Sequence, residues 1–312
     1  MPRTLVLTKH PRDYETLIEA ARLPDLTLVA ASEVEDGLAR GGSSEVLVGD
    51  PGRVTAALPR LPNLRWVQLT WAGVERMLDP ALRRDYVLTN IRGVFGPLMS
   101  EFVFSYLLAH ERKILQRVEA QREGRWDATL PGTLQGKTIG LVGVGSIGAH
   151  LAATAKHFGM TVRGYTRASE ESSHVDRYFH GDARVEFATG LDYLVAVLPN
   201  TPGTRRIVDD EMLRALPPHA MVVNAGRGDT LDTEALIRAL QEKRLAAAVL
   251  DVFEEEPLPP AHPLWSTPGA FITSHTAAPS FPADIVGVFV ENYRRFARGE
   301  PLLYRVDFER GY

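Results

Sequence analysis

The stretch Thr138-Ile139-Gly140-Leu141-Val142-Gly143-Val144-Gly145-Ser146-Ile147-Gly148 decides the fold. Four of its first five residues are apolar or glycine, the composition of a buried parallel strand, and glycines then fall at 143, 145 and 148 in G-x-G-x-x-G spacing. Gly143 permits a tight turn, Gly145 lets the backbone approach a pyrophosphate, and Gly148 lets a helix pack close on the strand. A dinucleotide's phosphates then meet unpaired N–H groups at the positive end of the helix dipole.

A glycine spacing alone is weak evidence, and its surroundings supply the rest. Ile147, Leu151, Ala155 and Phe158 form one apolar stripe of a helix, Gly159 ends it, and a second apolar strand runs from Met160 to Tyr165. Strand, turn, helix and strand follow in the order a dinucleotide site needs.

At 312 residues the chain has the length of about two domains. Hydrophobic residues make up 45% and charged residues 24%, as in ordinary globular proteins. A net charge of −4 without a basic patch argues against nucleic acid as a partner. The absence of cysteine excludes disulfides, thiolate metal sites and a cysteine nucleophile, and no metal-ligand set is read elsewhere. The N-terminus enters a strand pattern without signal-peptide layout, and no apolar run approaches spanning length, so a cytoplasmic protein without membrane contact is expected.

Before the glycine stretch, short apolar strands are expected at Thr4–Thr8, Leu26–Ala31, Val46–Gly49, Trp66–Thr70 and Val87–Thr89, with helices such as Tyr14–Ala21 between them. Pro97 then breaks the chain, Ser100 can cap, and one long helix is expected from about Glu101 to Gly124. Later strands are expected at Asp192–Leu198, Met221–Asn224, Ala247–Val252 and Ala270–Ser274, which with the first two make six. Helices are expected at 209–216, at 233–243 behind an Asp232 cap, and at about 283–298. The predicted architecture is α/β: two flavodoxin- or Rossmann-like lobes with doubly wound parallel sheets and a cleft between them. The dinucleotide-binding lobe, 99–278, is inserted in a substrate lobe of 1–98 plus 279–312.

Three places after predicted strands of the second lobe can carry chemistry. In Asn224-Ala225-Gly226-Arg227-Gly228 an arginine between glycines has a planar fork suited to a carboxylate. In Leu250-Asp251-Val252-Phe253-Glu254-Glu255-Glu256-Pro257 the glutamates read first as a solvated face, whereas Asp251, inside an apolar strand, needs a partner. In Thr273-Ser274-His275-Thr276-Ala277-Ala278 a histidine stands among small residues at a strand end. Each alone reads as structural; together they fit hydride reduction of a 2-keto acid. That reaction needs a cation for the carboxylate (Arg227), a proton donor (His275), and a glutamate that orients the donor and keeps it charged.

With these segments, and with Leu198-Pro199-Asn200-Thr201-Pro202-Gly203-Thr204, the chain resembles the D-isomer-specific 2-hydroxyacid dehydrogenases from about Trp66 to Ala278. The resemblance implies that Arg227 binds and polarises the keto acid, that Glu256, directly before Pro257, pairs with His275, and that His275 donates or accepts the proton. It implies a cofactor site of Gly143, Gly145, Ser146, Ile147, Gly148, Leu198, Pro199, Thr204, Ala225, Gly226 and Ala277, with Asp251 on the nicotinamide amide. Trp71, Ala72 and Gly73 would join Arg227 and His275 at the substrate, the amides of Ala72 and Gly73 facing its carboxylate.

Family members that use NAD place an acidic residue after the second strand. Here Tyr165 is followed by Thr166-Arg167-Ala168-Ser169. A carboxylate there repels a 2′-phosphate, whereas Thr166, Arg167 and Ser169 can bind one. NADP(H) is therefore expected as the preferred cofactor, with NAD(H) as the other candidate. Trp71, the Thr166/Arg167 pair and the Ser274–Ala278 ending most resemble glyoxylate and hydroxypyruvate reductases, which reduce small 2-keto acids to D-2-hydroxy acids. A homodimer pairing through the nucleotide lobe, with the helix near 101–124, is implied by resemblance as well. The rival readings are a non-catalytic nucleotide sensor of the same fold and a formate or phosphite dehydrogenase.

Overall fold

The computed structural model describes residues 2–311. They form two compact units, one running to Val94 and resuming at Ser280, the other Phe95–Pro279.

The first unit begins β1 (Arg3–Leu7), α1 (Pro11–Ala20), β2 (Thr27–Ala31), α2 (Val34–Gly41), β3 (Val46–Gly49), α3 (Pro51–Ala57), β4 (Trp66–Leu69) and β5 (Val87–Thr89). Proline at the head of α1 and α3 costs no hydrogen bond, because the first helical N–H groups have no intrahelical partner. All strand pairs are parallel, in the order β2-β1-β3-β4-β5, the flavodoxin-like winding.

The second unit opens with α4 (Gly96–Glu111) and α5 (Ile114–Arg122), where one continuous helix is expected from sequence. The break is Lys113, whose φ of 53° is left-handed. The carbonyls freed there find other donors: Gly132 N–H donates to Glu111 O and Arg117 Nε–H to Arg112 O. At the other end Pro97 lies in the first turn of α4 and does not precede it. Ser100, expected as a cap, is instead buried in the helix with its hydroxyl 2.8 Å from His150 Nδ1.

There follow β6 (Thr138–Val142), α6 (Ser146–His157), β7 (Thr161–Tyr165), β8 (Arg177–Phe179), α7 (Arg184–Ala188), β9 (Tyr193–Ala196), α8 (Asp210–Ala215), β10 (Met221–Asn224), α9 (Thr233–Gln241), β11 (Ala247–Leu250) and β12 (Ala270–Ile272). Asp232 caps α9 as expected, its Oδ1 accepting the Ala235 N–H at 2.9 Å. The sheet is wholly parallel in the order β12-β11-β10-β9-β6-β7-β8, a doubly wound sheet of seven strands where six are expected. The additional strand, β8, is a three-residue edge of which only Phe179 is buried. Strands β9, β10 and β11 are buried on every residue, because helices cover both faces.

Register matters more to the site than the core does. Tyr165 pairs with Val142, Val142 with Ala196, Ala196 with Asn224, Asn224 with Leu250 and Leu250 with Ile272. The strand ends are thus level, and the loops that follow them issue from one edge of the sheet. The winding reverses between β6 and β9, the place where such sheets bind ligands.

The chain returns to the first unit as α10 (Pro282–Arg298), ended by Gly299 at φ 69°. Phe289 of α10 stacks on buried Trp66 at 5.4 Å between ring centres, and Asn292 Nδ2 donates to Gln68 Oε1. No helix among the described residues is long and apolar enough to cross a membrane.

Candidate active site

Arg227, Glu256 and His275 stand on the turns that leave three adjacent strands, β10, β11 and β12. The Arg227 turn is fixed by its own backbone: the Arg227 carbonyl accepts from Asn224 Nδ2 at 3.0 Å and from Thr230 Oγ1 at 2.6 Å, and Asn224 Oδ1 accepts from Gly226 N–H. Arg227 Nη1 donates to the Gly226 carbonyl at 2.7 Å, which aims the guanidinium along the turn. Glycine is required at 228, because a Cβ there would lie 1.9 Å from the Phe253 carbonyl carbon. That approach sets the arginine turn directly against the Phe253–Glu256 turn.

His275 Nδ1 lies 2.8 Å from Glu256 Oε2, and Glu256 Oε1 accepts the Phe253 N–H at 3.0 Å. A carboxylate accepts only, so Nδ1 carries a proton and Nε2 is the nitrogen left to serve a substrate. Nε2 has no partner among the described residues. His275 itself takes a left-handed φ of 55°, an uncommon conformation in which histidine is enriched, and one held here by surrounding bonds.

Asp251 supplies those bonds. The residue is 1% exposed; Oδ1 accepts from Thr273 Oγ1 and from Thr276 N–H at 2.9 Å, Oδ2 accepts from Ala277 N–H at 3.0 Å, and the Asp251 carbonyl accepts from His275 N–H at 2.8 Å. Three donors satisfy a buried charge that would otherwise be costly. Both oxygens hold the His275 turn, and three donors leave the carboxylate one acceptor position of about four. Ala277, expected at the cofactor, is buried and bound in the same turn.

The glycine turn after β6 fits a dinucleotide. Gly143 has φ 102°, open only to glycine without strain, and a Cβ on Gly148 would lie 2.1 Å from the Gly143 carbonyl oxygen. A Cβ on Gly145 would meet nothing within 4 Å, so the backbone there faces open space. Gly145 also caps α6 without a side chain, which leaves the N–H groups of Ser146 and Ile147 at the positive helix end. Leu198 joins this turn to that of Arg227: its side chain would meet a Cβ on Gly143 at 2.8 Å and its backbone a Cβ on Gly226 at 2.7 Å. Ala225 is buried beside Gly226, and Thr204 acts by closing the Pro199–Thr204 turn, its hydroxyl donating to Pro199 O at 2.7 Å.

After β7, Thr166 Oγ1 donates to Ser169 O at 2.7 Å, closing a small loop with exposed Arg167 on it. The sequence reading missed the residues that hold this loop. His180, directly after β8, has Nδ1 at 3.0 Å from Thr166 O and Nε2 at 2.8 Å from Glu170 Oε1. Only the pairing of Tyr165 with Phe179 across two strands, invisible without β8, brings His180 there.

In the first unit Trp71 is 52% exposed on the turn after β4. That turn, with half-buried Ala72 and Gly73, is held from β5: buried Asn90 donates through Nδ2 to Ala72 O at 2.8 Å, and Ile91 N–H donates to Trp71 O. Asn90 is a second residue the sequence reading missed.

Comparison with known proteins matches this geometry to a family. The model of the D-isomer specific 2-hydroxyacid dehydrogenase NAD binding domain matches residues 104–277. Glyoxylate/hydroxypyruvate reductase A of Serratia proteamaculans is 34% identical over 259 residues, covering 80% of this chain and 82% of that protein. A D-isomer specific 2-hydroxyacid dehydrogenase family protein from Aeromonas salmonicida is 40% identical, with a TM-score of 0.93 over 98% of this chain and 99% of its own. A D-isomer specific 2-hydroxyacid dehydrogenase from Xanthobacter autotrophicus, crystallised with NADPH and MES, is 32% identical, with a TM-score of 0.86 over 99% of each chain. The chain belongs to the D-isomer specific 2-hydroxyacid dehydrogenase family, a group of NAD(P)-dependent oxidoreductases.

Proposed function

We propose that this protein reduces a small 2-keto acid of the glyoxylate or hydroxypyruvate type to the D-2-hydroxy acid, with NADP(H) preferred over NAD(H). The observation that carries the reading is the His275–Glu256 pair at 2.8 Å on the turn beside that of Arg227. Support for the substrate class comes from the Serratia proteamaculans reductase, and for the cofactor from the NADPH complex of the Xanthobacter autotrophicus enzyme.

Bound reduced nicotinamide supplies the hydride to the carbonyl carbon. The Arg227 fork holds the substrate carboxylate and draws charge toward the carbonyl oxygen. His275 Nε2 gives its proton to that oxygen as the alkoxide develops, while Glu256 keeps Nδ1–H bound and the ring in place. In the reverse direction Nε2 takes the hydroxyl proton. The pyrophosphate belongs against Gly143, Gly145, Ser146, Ile147 and Gly148, and a 2′-phosphate against Thr166, Arg167 and Ser169. The amides of Ala72 and Gly73 are proposed to bind the substrate carboxylate as well.

A homodimer is part of this reading. Ile114, Leu115 and Val118 of α5 are exposed, and Trp126 and Leu130 are 93% and 85% exposed, apolar side chains that a second copy can cover. Hollows of about 460 and 480 Å³ flank α4 and share Leu108 and Phe158, room for such side chains from a second copy. The cytoplasm, which holds a pool of phosphorylated nicotinamide nucleotide, is the compartment this function calls for.

The test is initial rates with glyoxylate, hydroxypyruvate, formate and phosphite, each with both cofactors in the matching redox state. Turnover of the two keto acids with NADPH supports the reading; turnover of formate or phosphite alone, or of nothing, contradicts it.

A further inference from the structure

We infer that His180 is a specificity-determining residue of the cofactor site: it secures the loop after β7 for a 2′-phosphate by fixing Thr166 and neutralising Glu170. The inference rests on the NADP(H) reading above and names a residue outside the Thr166, Arg167 and Ser169 set.

Every neighbour of the His180 ring is an acceptor. Nδ1 faces Thr166 O at 3.0 Å and Thr166 Oγ1 at 3.1 Å, and that hydroxyl has already given its proton to Ser169 O at 2.7 Å. Nε2 faces the Glu170 carboxylate at 2.8 Å. A neutral imidazole has one N–H for these acceptors and an imidazolium has two, so the contacts favour the charged ring. The same contacts, with Glu170 first, hold its pKa above the ordinary histidine value.

The consequence concerns charge. The loop Thr166–Ser172 carries Arg167 and two carboxylates, Glu170 and Glu171. A carboxylate free to turn toward the adenosine ribose acts as the acidic residue of an NAD site does, and repels a 2′-phosphate. His180 draws the Glu170 carboxylate to itself and offsets its charge. Tyr178, two residues earlier on β8, grips the far end of the loop: its hydroxyl accepts from Ser172 N–H at 3.0 Å and donates to Ser172 O at 3.2 Å, and its ring lies parallel to His180 with centres 6.4 Å apart. The edge strand thus holds the loop at two points, one of them charged.

The experiment is calorimetric binding of adenosine 2′,5′-bisphosphate and of ADP to the wild-type protein, to His180→Asn, and to His180→Asn with Glu170→Gln. Wild type is expected to favour the bisphosphate. His180→Asn is expected to weaken bisphosphate binding about two- to fivefold, the scale of one lost exposed charge pair, with ADP unchanged. The second substitution is expected to recover most of that loss, because the released carboxylate is then gone. Equal weakening of both ligands makes His180 merely structural and overturns the inference, as does no change in either, or a loss that Glu170→Gln leaves uncorrected. Failure of wild type to favour the bisphosphate contradicts the NADP(H) reading itself and is seen before any variant is made.

Discussion

The Glu256 carboxylate bridges two turns, with Oε2 on Nδ1 of His275 at 2.8 Å and Oε1 on the backbone N–H of Phe253 at 3.0 Å. The base that orients the proton donor is thus anchored to the main chain, and both of its oxygens have work that a neutral amide cannot do. An amide in its place must turn its NH2 toward either Nδ1–H or the Phe253 N–H.

Glu256→Gln is therefore expected to lower kcat with glyoxylate and NADPH on the order of 100-fold, the lower end of what positioned proton transfer contributes. NADPH affinity, measured by fluorescence titration, should stay within twofold or so, because Glu256 lies outside the residues assigned to the nucleotide. A loss of affinity in place of rate would make the pair structural.

Arg227→Lys keeps the charge and loses the fork. Hydrogen bonds to charged groups contribute about 1.5–3 kcal/mol, so kcat/KM for the keto acid should fall by about 10- to 100-fold, through both kcat and KM. Unchanged kinetics would put the carboxylate clamp elsewhere.

The fingerprint glycines separate packing from binding. Gly148→Ala places a methyl group 2.1 Å from the Gly143 carbonyl oxygen and should cost roughly 1–3 kcal/mol of stability, seen as a lower Tm without ligand. Gly145→Ala meets no heavy atom within 4 Å, so its Tm should match wild type while NADPH binding weakens. Equal Tm values for the two variants would contradict the local geometry.

Asp251 links stability to rate. Asp251→Ala strands the Thr276 and Ala277 N–H groups and should destabilise by roughly 3 kcal/mol, because each buried unpaired donor costs about 1–3 kcal/mol. It should also lower kcat, since the left-handed His275 turn loses its support. A variant with normal stability would show that the turn holds itself.

What the sequence made legible follows from range. Val46–Gly49, Val87–Thr89 and Met221–Asn224 have the bounds expected of them, because each is a short, mostly apolar run between turn residues. Arg227 and His275 stood out because each follows a predicted strand within a short motif, whereas Glu256, in a run of three glutamates, was picked out by the family resemblance. Arg177–Phe179 was not: three residues with an arginine at an edge carry no such signal. Nor was the break at Lys113, where neither glycine nor proline marks the turn and the compensating bonds come from Arg117 and Gly132. The partners of Asp251 lie 22 to 26 residues away and those of His180 lie 10 to 14 away, joined only by strand pairing. Sequence pattern shows which residues carry chemistry; the sheet register decides which of them meet.

The most direct measurement compares wild type with His275→Ala in two assays: NADPH oxidation with saturating glyoxylate, and NADPH binding. Wild type is expected to oxidise NADPH, and the variant to bind it with unchanged affinity while kcat falls by about 10²- to 10⁴-fold, the contribution of a positioned general acid. A variant that turns over glyoxylate at the wild-type rate would contradict the account, because the Nε2 left open by Glu256 would then give no proton.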